Sequence, residues 1–207
     1  MNPNLVLLMI IVLLSNCTFA QSTTYPRGGY RNLEEFKNKQ PSIPFIFTIE
    51  KRTKGDIMMN GGNDYKILSD SISKKTIKKE LFAVSNGDTL FINCGPKQAQ
   101  YWYANVITEG KYIAFMGGIG PVAHNNPNLA AGEAFGAIGG AIAGANKALL
   151  RYLYVIEIND GKLRLLNKKY IETLLEDYPN LKSLFQNEPD KDNKETYLRY
   201  LSLINSN

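Results

Sequence analysis

Residues 81–92 read Leu81-Phe82-Ala83-Val84-Ser85-Asn86-Gly87-Asp88-Thr89-Leu90-Phe91-Ile92, and this stretch decides the fold class. Two apolar runs flank Asn86-Gly87, a dipeptide that tolerates the positive φ angles of a tight turn between antiparallel strands. The stretch therefore predicts a β-hairpin.

The same pattern of apolar runs and turn residues continues on both sides of this hairpin, which indicates one antiparallel sheet. About eight or nine strands are predicted in all. Besides the first hairpin, the runs are residues 45–49, 56–59 and 65–68 (the last two flanking Asn60-Gly61-Gly62-Asn63), 101–107 with 111–116, and 152–158 with 162–166.

Helices are predicted near the start of the domain and at its end. Asn32 is placed to cap a short helix that Pro41 terminates, and Asn167 is placed to cap a helix over residues 168–176. Two further apolar stripes, around Leu181 and Leu201, predict two more C-terminal helices. Hairpins followed by helices are typical of an α+β fold with helices on one face or end of the sheet.

Composition sets limits on function. The chain has 207 residues, of which 44% are hydrophobic and 21% charged, an ordinary globular composition that excludes disordered and collagen-like classes. Lys and Arg number 24 against 19 Asp and Glu, a net charge of +5. This balance is well below the density typical of nucleic-acid binders, so we expect no nucleic-acid partner.

The N-terminus predicts export. Residues 5–14 are uninterruptedly apolar, too short to span a bilayer but typical of the apolar region of a signal peptide. Thr18-Phe19-Ala20 supplies small residues before Gln21, so we expect cleavage between Ala20 and Gln21, although residues 1–4 carry no Lys or Arg. Residues 21–30 are then a polar, flexible leader, and residues 31–207 a single domain.

Cys17 leaves an alternative open. Leu14-Ser15-Asn16-Cys17 is similar to a bacterial lipobox, in which the cysteine carries a lipid anchor, although Asn16 departs from the small residues usual there. Both readings predict a periplasmic or extracellular protein.

Residues 129–150 contain a glycine zipper, with Gly132, Gly136, Gly140 and Gly144 spaced by four. This spacing places the glycines on one side of a helix, where another backbone can approach closely. Because five glycines, counting Gly139, weaken a helix by about 1 kcal/mol each, something must pack against this side.

Three interpretations of the glycine zipper stay open. It packs within the domain itself, it contacts another molecule or the lipid interface, or it spans a membrane. Only residues 134–145 lack polar side chains, which gives ~18 Å of helix against the ~30 Å of a bilayer core. We therefore expect no transmembrane span in the mature chain.

Cys94 and His124 are the candidates for nucleophilic catalysis, since each is alone of its kind in the mature chain. Cys94 follows a strand rather than starting a helix, which favours a buried structural thiol, and His124 lies among Asn and Pro residues typical of an exposed loop. No cofactor motif and no cluster typical of a metal site occurs in the sequence.

Two surface features suggest binding. Lys74-Lys75 and Lys78-Lys79, with Lys51-Arg52 and Lys54, form a basic region that is either a solvated face or a contact for an anionic surface such as a phosphorylated glycolipid. Tyr101-Trp102-Tyr103 is either core or a carbohydrate platform, and strand alternation predicts Trp102 on one face with both tyrosines on the other.

Three stretches together resemble a family of exported Gram-negative bacterial proteins whose function is unknown. They are Tyr30-Arg31-Asn32-Leu33-Glu34-Glu35-Phe36, the glycine zipper running into residues 152–156, and Leu174-Leu175-Glu176-Asp177-Tyr178-Pro179-Asn180-Leu181. The resemblance covers most of residues 30–205 and implies export and a shared fold. It transfers no catalytic residue, because the matching residues are caps, turns and packing positions.

The sequence thus predicts an exported α+β domain with a non-catalytic binding or structural role at the cell envelope. Its glycine zipper would pack on an envelope protein, a second copy or lipid. A hydrolase using Cys94 and His124, and a pocket for a small apolar ligand between sheet and zipper, are the alternatives.

Overall fold

The computed structural model describes residues 23–97, 100–118 and 148–207, and it confirms the α+β class. Nine antiparallel strands form the sheet. They are β1 (Gly28–Tyr30), β2 (Thr48–Lys51), β3 (Tyr65–Leu68), β4 (Ala83–Ser85), β5 (Leu90–Asn93), β6 (Tyr103–Thr108), β7 (Tyr112–Gly117), β8 (Tyr152–Glu157) and β9 (Leu163–Leu165). The glycine zipper lies outside the described residues.

The strand order is β1-β4-β5-β6-β7-β8-β9, and the β2-β3 pair joins at β6 through Tyr65 and Tyr103. The predicted hairpins β4-β5, β6-β7 and β8-β9 are confirmed. Strands β7 and β8 also pair along their whole length, from Tyr112↔Glu157 to Gly117↔Tyr152. Residues 118–151, which include the glycine zipper, are thus an insertion into a hairpin.

Five α-helices and one short π-helix accompany the sheet in the described part of the chain. They are α1 (Leu33–Lys37), α2 (Lys54–Asn60), the π-helix (Thr76–Glu80), α3 (Lys168–Leu175), α4 (Pro179–Gln186) and α5 (Lys194–Asn205). The predicted caps form: Asn32 Oδ1 accepts from the Glu35 amide at 2.9 Å, and Asn167 Oδ1 accepts from the Tyr170 amide at 2.9 Å.

The predicted strand over residues 56–59 is wrong, because these residues belong to α2. Thr53 caps this helix by accepting from the Asp56 amide at 3.1 Å, and Gly61 follows its end with a φ of 63°. Met58 and Met59, whose apolar side chains suggested a strand, are exposed, and Ile57 is the buried residue of the helix. The turn residues at 60–63 therefore join a helix to β3 instead of joining two strands.

Order begins earlier than the predicted domain start at residue 31. Residues 28–30, assigned from the sequence to a flexible leader, pair with β4 as strand β1, and Tyr25 and Tyr30 are buried. Glu109, in the turn between β6 and β7, accepts hydrogen bonds from the Thr23 hydroxyl and from the amide and hydroxyl of Thr24. Although most residues of this stretch are polar, it contributes two buried aromatic rings to the core and is held to Glu109 by side-chain hydrogen bonds.

Both faces of the sheet are covered. Along β5, Leu90 and Ile92 face a cluster that includes Tyr25 and Phe36, whereas Phe91 faces the opposite side, as a period of two requires. On that opposite side, α3, α4 and α5 cover β7 and β8, and the β2-β3 pair and the π-helix cover β4 and β5.

In the described part of the chain, none of the helices combines the length and the apolar content needed to cross a bilayer.

Candidate functional site

Cys94, the predicted nucleophile, lies just after β5 and is fully buried. Its thiol donates to the carbonyl of Ile92 at 3.6 Å, and burial raises the pKa of the thiol to about 12. Because the thiolate is the reactive form of cysteine, this thiol is not activated in the folded domain. His124 lies outside the described residues, as do Gly132, Gly136, Gly140, Gly144, Cys17, Ala20 and Gln21.

The first end of the 118–151 insertion is tied to the loop after α2. The Gly118 amide donates to Oδ1 of Asn63 at 2.8 Å, and the Gly118 carbonyl accepts from the Tyr154 hydroxyl at 2.9 Å. Asn63 is fully buried, so these bonds form away from water, where an unpaired polar group would be costly. The chain therefore leaves β7 at a defined point.

The second end of the insertion is tied to the same loop. Arg151 donates to Oδ1 of Asp64 from Nε at 3.0 Å and from Nη2 at 2.7 Å, and Nη2 also reaches the Gly62 carbonyl at 3.3 Å. Loop 61–64 thus holds both ends of the insertion, and we call this arrangement the foot.

An aromatic and basic groove lies beside the foot. It is formed where the chain enters β6, at Tyr101 and Trp102. The amide and Nδ2 of Asn63 donate to the Tyr101 carbonyl at 2.8 and 3.0 Å, and the Cys94 amide donates to the Trp102 carbonyl at 3.0 Å. These bonds hold Gln100 and Trp102 at φ angles of 67° and 71°, which residues other than glycine rarely adopt.

This backbone conformation breaks the strand alternation that the sequence predicts. Tyr103 is fully buried, whereas Tyr101 is 69% exposed, so the two tyrosines do not share a face. The prediction failed because regular alternation begins only at Tyr103, the first residue of β6. Strained backbone held by surrounding bonds is typical of binding sites.

Three cations surround the Trp102 ring. The Nζ of Lys78 lies 4.4 Å from the ring centroid, the Cζ of Arg52 5.9 Å and the Nζ of Lys66 6.0 Å. Cations at these distances are attracted to the electron-rich face of an indole ring. Arg52 and Lys78, from the basic region identified in the sequence, thus lie next to Trp102, from the aromatic stretch.

Arg52 is the buried member of this set, 8% exposed. Its guanidinium donates to Oδ2 of Asp56 at 2.6 Å and to the carbonyls of Gly61 and Asn63 at 2.7 and 2.9 Å. The hydrogen bond from Arg52 lowers the pKa of Asp56, so this carboxylate stays ionised at neutral pH. Gly62 makes the arrangement possible, because a Cβ there would lie 2.8 Å from both Nη1 of Arg52 and Cδ1 of Trp102.

The π-helix carries Lys78 and Lys79, and side chains from the sheet hold it in place. Nδ2 of the fully buried Asn93 donates to the carbonyls of Ile77, Lys78 and Leu81 at 3.0, 3.2 and 2.8 Å. The Tyr103 hydroxyl donates to the Ile77 carbonyl at 2.6 Å. π-Helical turns are rare in proteins, and those that occur are often located at functional sites.

Two adjoining cavities form the groove and share Lys78 and Tyr101. One, of about 520 Å³, is lined by Lys78, Lys79, Gly95, Pro96 and Tyr101. The other, of about 350 Å³, is lined by Arg52, Asp56, Asn60, Lys66, Lys78, Tyr101 and Trp102. Each volume is within the range of sites for small molecules.

Sequence reasoning missed Asp56, Asn60 and Lys66 as members of one site. The capping residue Thr53 before the 54–60 stretch was the available signal for α2, which brings Asp56 and Asn60 to the groove. No group of three or more His, Cys, Asp or Glu residues placed to hold a metal occurs in residues 23–97, 100–118 and 148–207.

A family of unknown function, DUF6563, matches residues 28–207. No curated protein and no solved structure matches the chain.

Proposed function

We propose, for a chain that belongs to the family DUF6563, a role as an exported, non-catalytic binding module of the cell envelope. In this role, the groove contacts an anionic component of the envelope. The glycine zipper packs on a partner helix, a second copy or the lipid interface. A signal peptide cleaved between Ala20 and Gln21 delivers the domain.

The observation that carries this proposal is the excess of positive charge in the groove. In the described part of the chain, Lys78 and Lys79 make no ion pair with a carboxylate, whereas Arg52 is paired with Asp56 and Lys66 with Glu50. Near an anionic membrane surface, each unpaired Lys contributes about 1 kcal/mol of attraction. The half-buried Trp102 and exposed Tyr101 add rings of the kind that settle at membrane interfaces.

The foot supports a joint role for groove and zipper. Asn63 bonds to Gly118 at one end of the insertion and to the Tyr101 carbonyl in the groove. Asp64 bonds to Arg151 at the other end. The groove and the two points where residues 118–151 join the sheet are therefore held by the same loop, residues 61–64.

Vesicle flotation tests the proposal. We expect the chain from Gln21 to Asn207 to float with vesicles containing phosphatidylglycerol and to stay at the bottom with neutral phosphatidylcholine vesicles. Replacing residues 129–150 by a short flexible linker should weaken flotation while circular dichroism shows the sheet intact. If both proteins float equally, the glycine zipper does not contribute to membrane binding. If neither protein floats, the proposal that the groove contacts a lipid surface is wrong.

Glycine replacements refine this test. The double variant Gly136→Leu with Gly140→Leu fills the predicted small-residue side of the zipper and should reduce association of the protein with the vesicles. Gly55→Leu is the matched control, since Gly55 is exposed on α2 and a Cβ there meets only Thr53 Oγ1, at 3.9 Å. If the control reduces association as much as the zipper variant, the effect is not specific to the zipper.

A thiol probe tests the hydrolase alternative. Cys94 is the single cysteine of residues 21–207, so an aromatic disulfide reagent reports on it alone. Burial predicts reaction only as fast as the domain opens, and full reaction in denaturant. Rapid labelling of the native domain, with a hydrolytic activity lost in Cys94→Ala, would support the hydrolase instead.

A further inference from the structure

We propose that the groove is a binding site for a phosphorylated sugar, with the phosphate at Lys78 and Lys79, the sugar ring on Tyr101, and its hydroxyl groups at Asp56 and Asn60. The inference deepens the proposed function and rests on it for the biological setting. The same headgroup chemistry occurs in a free sugar phosphate and in a phosphorylated glycolipid.

The position of the ligand's phosphate is inferred from the charge of Lys78 and Lys79 and from the rigidity of the π-helix that carries them. Lys78 and Lys79 both line the larger cavity, and neither has a carboxylate partner among the described residues. Their π-helix is held by Asn93 and Tyr103, so the two ammonium groups start from a fixed backbone. Charge-assisted bonds from preorganised cations are the strong contacts of phosphate sites.

The ring position is placed by Tyr101. This side chain is 69% exposed and lines both cavities, yet its backbone carbonyl is fixed by two bonds from Asn63. An exposed aromatic side chain on a fixed backbone binds with little loss of side-chain entropy. The faces of sugar rings carry C–H groups, which pack against the electron-rich face of an aromatic ring.

The hydroxyl end is placed by Asp56 and Asn60, which line the smaller cavity. The Asp56 carboxylate accepts one bond at each oxygen, from Arg52 and from Asn60, and its side chain is 40% exposed. A carboxylate has about four acceptor positions, so Asp56 can accept further bonds from hydroxyl groups.

The pairing of cations with a carboxylate separates this site from a general anion site. Asp56 lines the smaller cavity and Lys79 the larger one, whereas Lys78 and Tyr101 line both. A bare phosphate gains nothing from Asp56, and a chain of phosphates is repelled by it. A ligand with one charged end and one hydroxyl-bearing end uses every group of the groove.

Trp102 provides a local measurement because it is the only tryptophan of the chain. We expect glucosamine 1-phosphate, titrated into the chain from Gln21 to Asn207, to change the Trp102 emission, because the phosphate draws Lys78 Nζ from its position 4.4 Å from the ring centroid. Calorimetry should give an affinity at least about tenfold above those of glucosamine and inorganic phosphate, since neither alone reaches all three parts of the groove.

Two variants assign the parts of the ligand. Lys78→Gln should weaken binding of the sugar phosphate about tenfold or more, because a charge-assisted bond is lost. Tyr101→Ala should weaken glucosamine 1-phosphate but leave inorganic phosphate unchanged. Lys169→Gln, which removes the same charge from an exposed position on α3, should have no effect. The Lys78 and Tyr101 side chains are not needed for the hydrogen bonds that hold the loop, so both variants should fold.

The outcomes separate this inference from the proposed function. Equal affinity for inorganic phosphate and the sugar phosphate, or no loss in Tyr101→Ala, overturns the sugar phosphate and leaves a simple anion site. Absence of sugar phosphate binding with flotation on phosphatidylglycerol vesicles overturns this inference alone. If the soluble sugar phosphate binds but the protein does not float with vesicles, this inference is supported and the proposed contact with a lipid surface is overturned. Tighter binding to vesicles carrying a phosphorylated glucosamine lipid than to the soluble compound identifies the glycolipid as the source.

Discussion

The helices α3, α4 and α5, which cover β7 and β8, and the groove beside the foot are built in opposite ways. The helical cover is stabilised by apolar side chains at regular spacing, such as Tyr197, Leu201 and Ile204 on α5. The groove is held by a buried arginine, two buried asparagines and two non-glycine residues at positive φ. The difference predicts that the stability of this domain and its candidate binding site depend on different residues.

Each region should therefore respond to mutation in its own way. Changes in the helical cover should lower the free energy of unfolding and leave Trp102 in its native surroundings. Changes in the groove should alter Trp102 emission and ligand binding more than they alter stability.

The largest effect on stability is expected from Leu201→Ala. Leu201 is fully buried between α5 and the sheet, so its truncation should lower the free energy of unfolding by about 2–5 kcal/mol, measured by urea denaturation. Leu203→Ala is the matched control on the same helix, since Leu203 is 40% exposed, and should change stability little. If Leu201→Ala also shifts the native Trp102 emission, the two regions are not independent.

A smaller loss of stability with a larger change in the groove is expected from Gly62→Ala. Its φ of 90° is strained for alanine by about 1–3 kcal/mol, and the new Cβ displaces Arg52 and Trp102. Native Trp102 emission should shift, and binding in the groove should weaken. Gly55→Ala should instead stabilise α2 by up to about 1 kcal/mol. An unchanged emission in Gly62→Ala would show that the groove tolerates displacement.

The smallest effect is expected at Asp160, remote in sequence from the groove. The hydrogen bond from Arg164 lowers the pKa of Asp160 to about 2, from an unperturbed value of 3.8. A depressed carboxylate pKa stabilises the fold above the unfolded-state pKa, and this stabilisation is lost as pH falls through about 2. The stability difference between the native chain and Asp160→Asn should therefore shrink between about pH 4 and pH 2.

Asp70→Asn is the control for that pH series. Asp70 is exposed and makes no ion pair in the described part of the chain, so its replacement reports the effect of removing a surface charge. A difference at Asp160 that stays constant with pH would contradict the role of the Arg164 bond.

The sequence by itself determined the α+β class, three of the hairpins and the capped helices. The signals for these elements are local: Asn86-Gly87 permits its turn, and Asn32 and Asn167 cap the helices that follow them. Such signals act over a few residues, and tertiary packing preserved them. At residues 56–59 the apolar run alone favours a strand, but the cap at Thr53 is a local signal for the helix that forms.

Only the tertiary structure decided where the groove lies. Arg52, Lys66, Lys78 and Trp102 are far apart in sequence, and they meet because β3 pairs with β6 and because Asn93 and Tyr103 hold the π-helix over the sheet. The positive φ of Trp102 exposes Tyr101 and turns the indole ring toward the cations. No short-range pattern encodes that angle, because the bonds that enforce it come from Asn63 and Cys94 rather than from sequence neighbours.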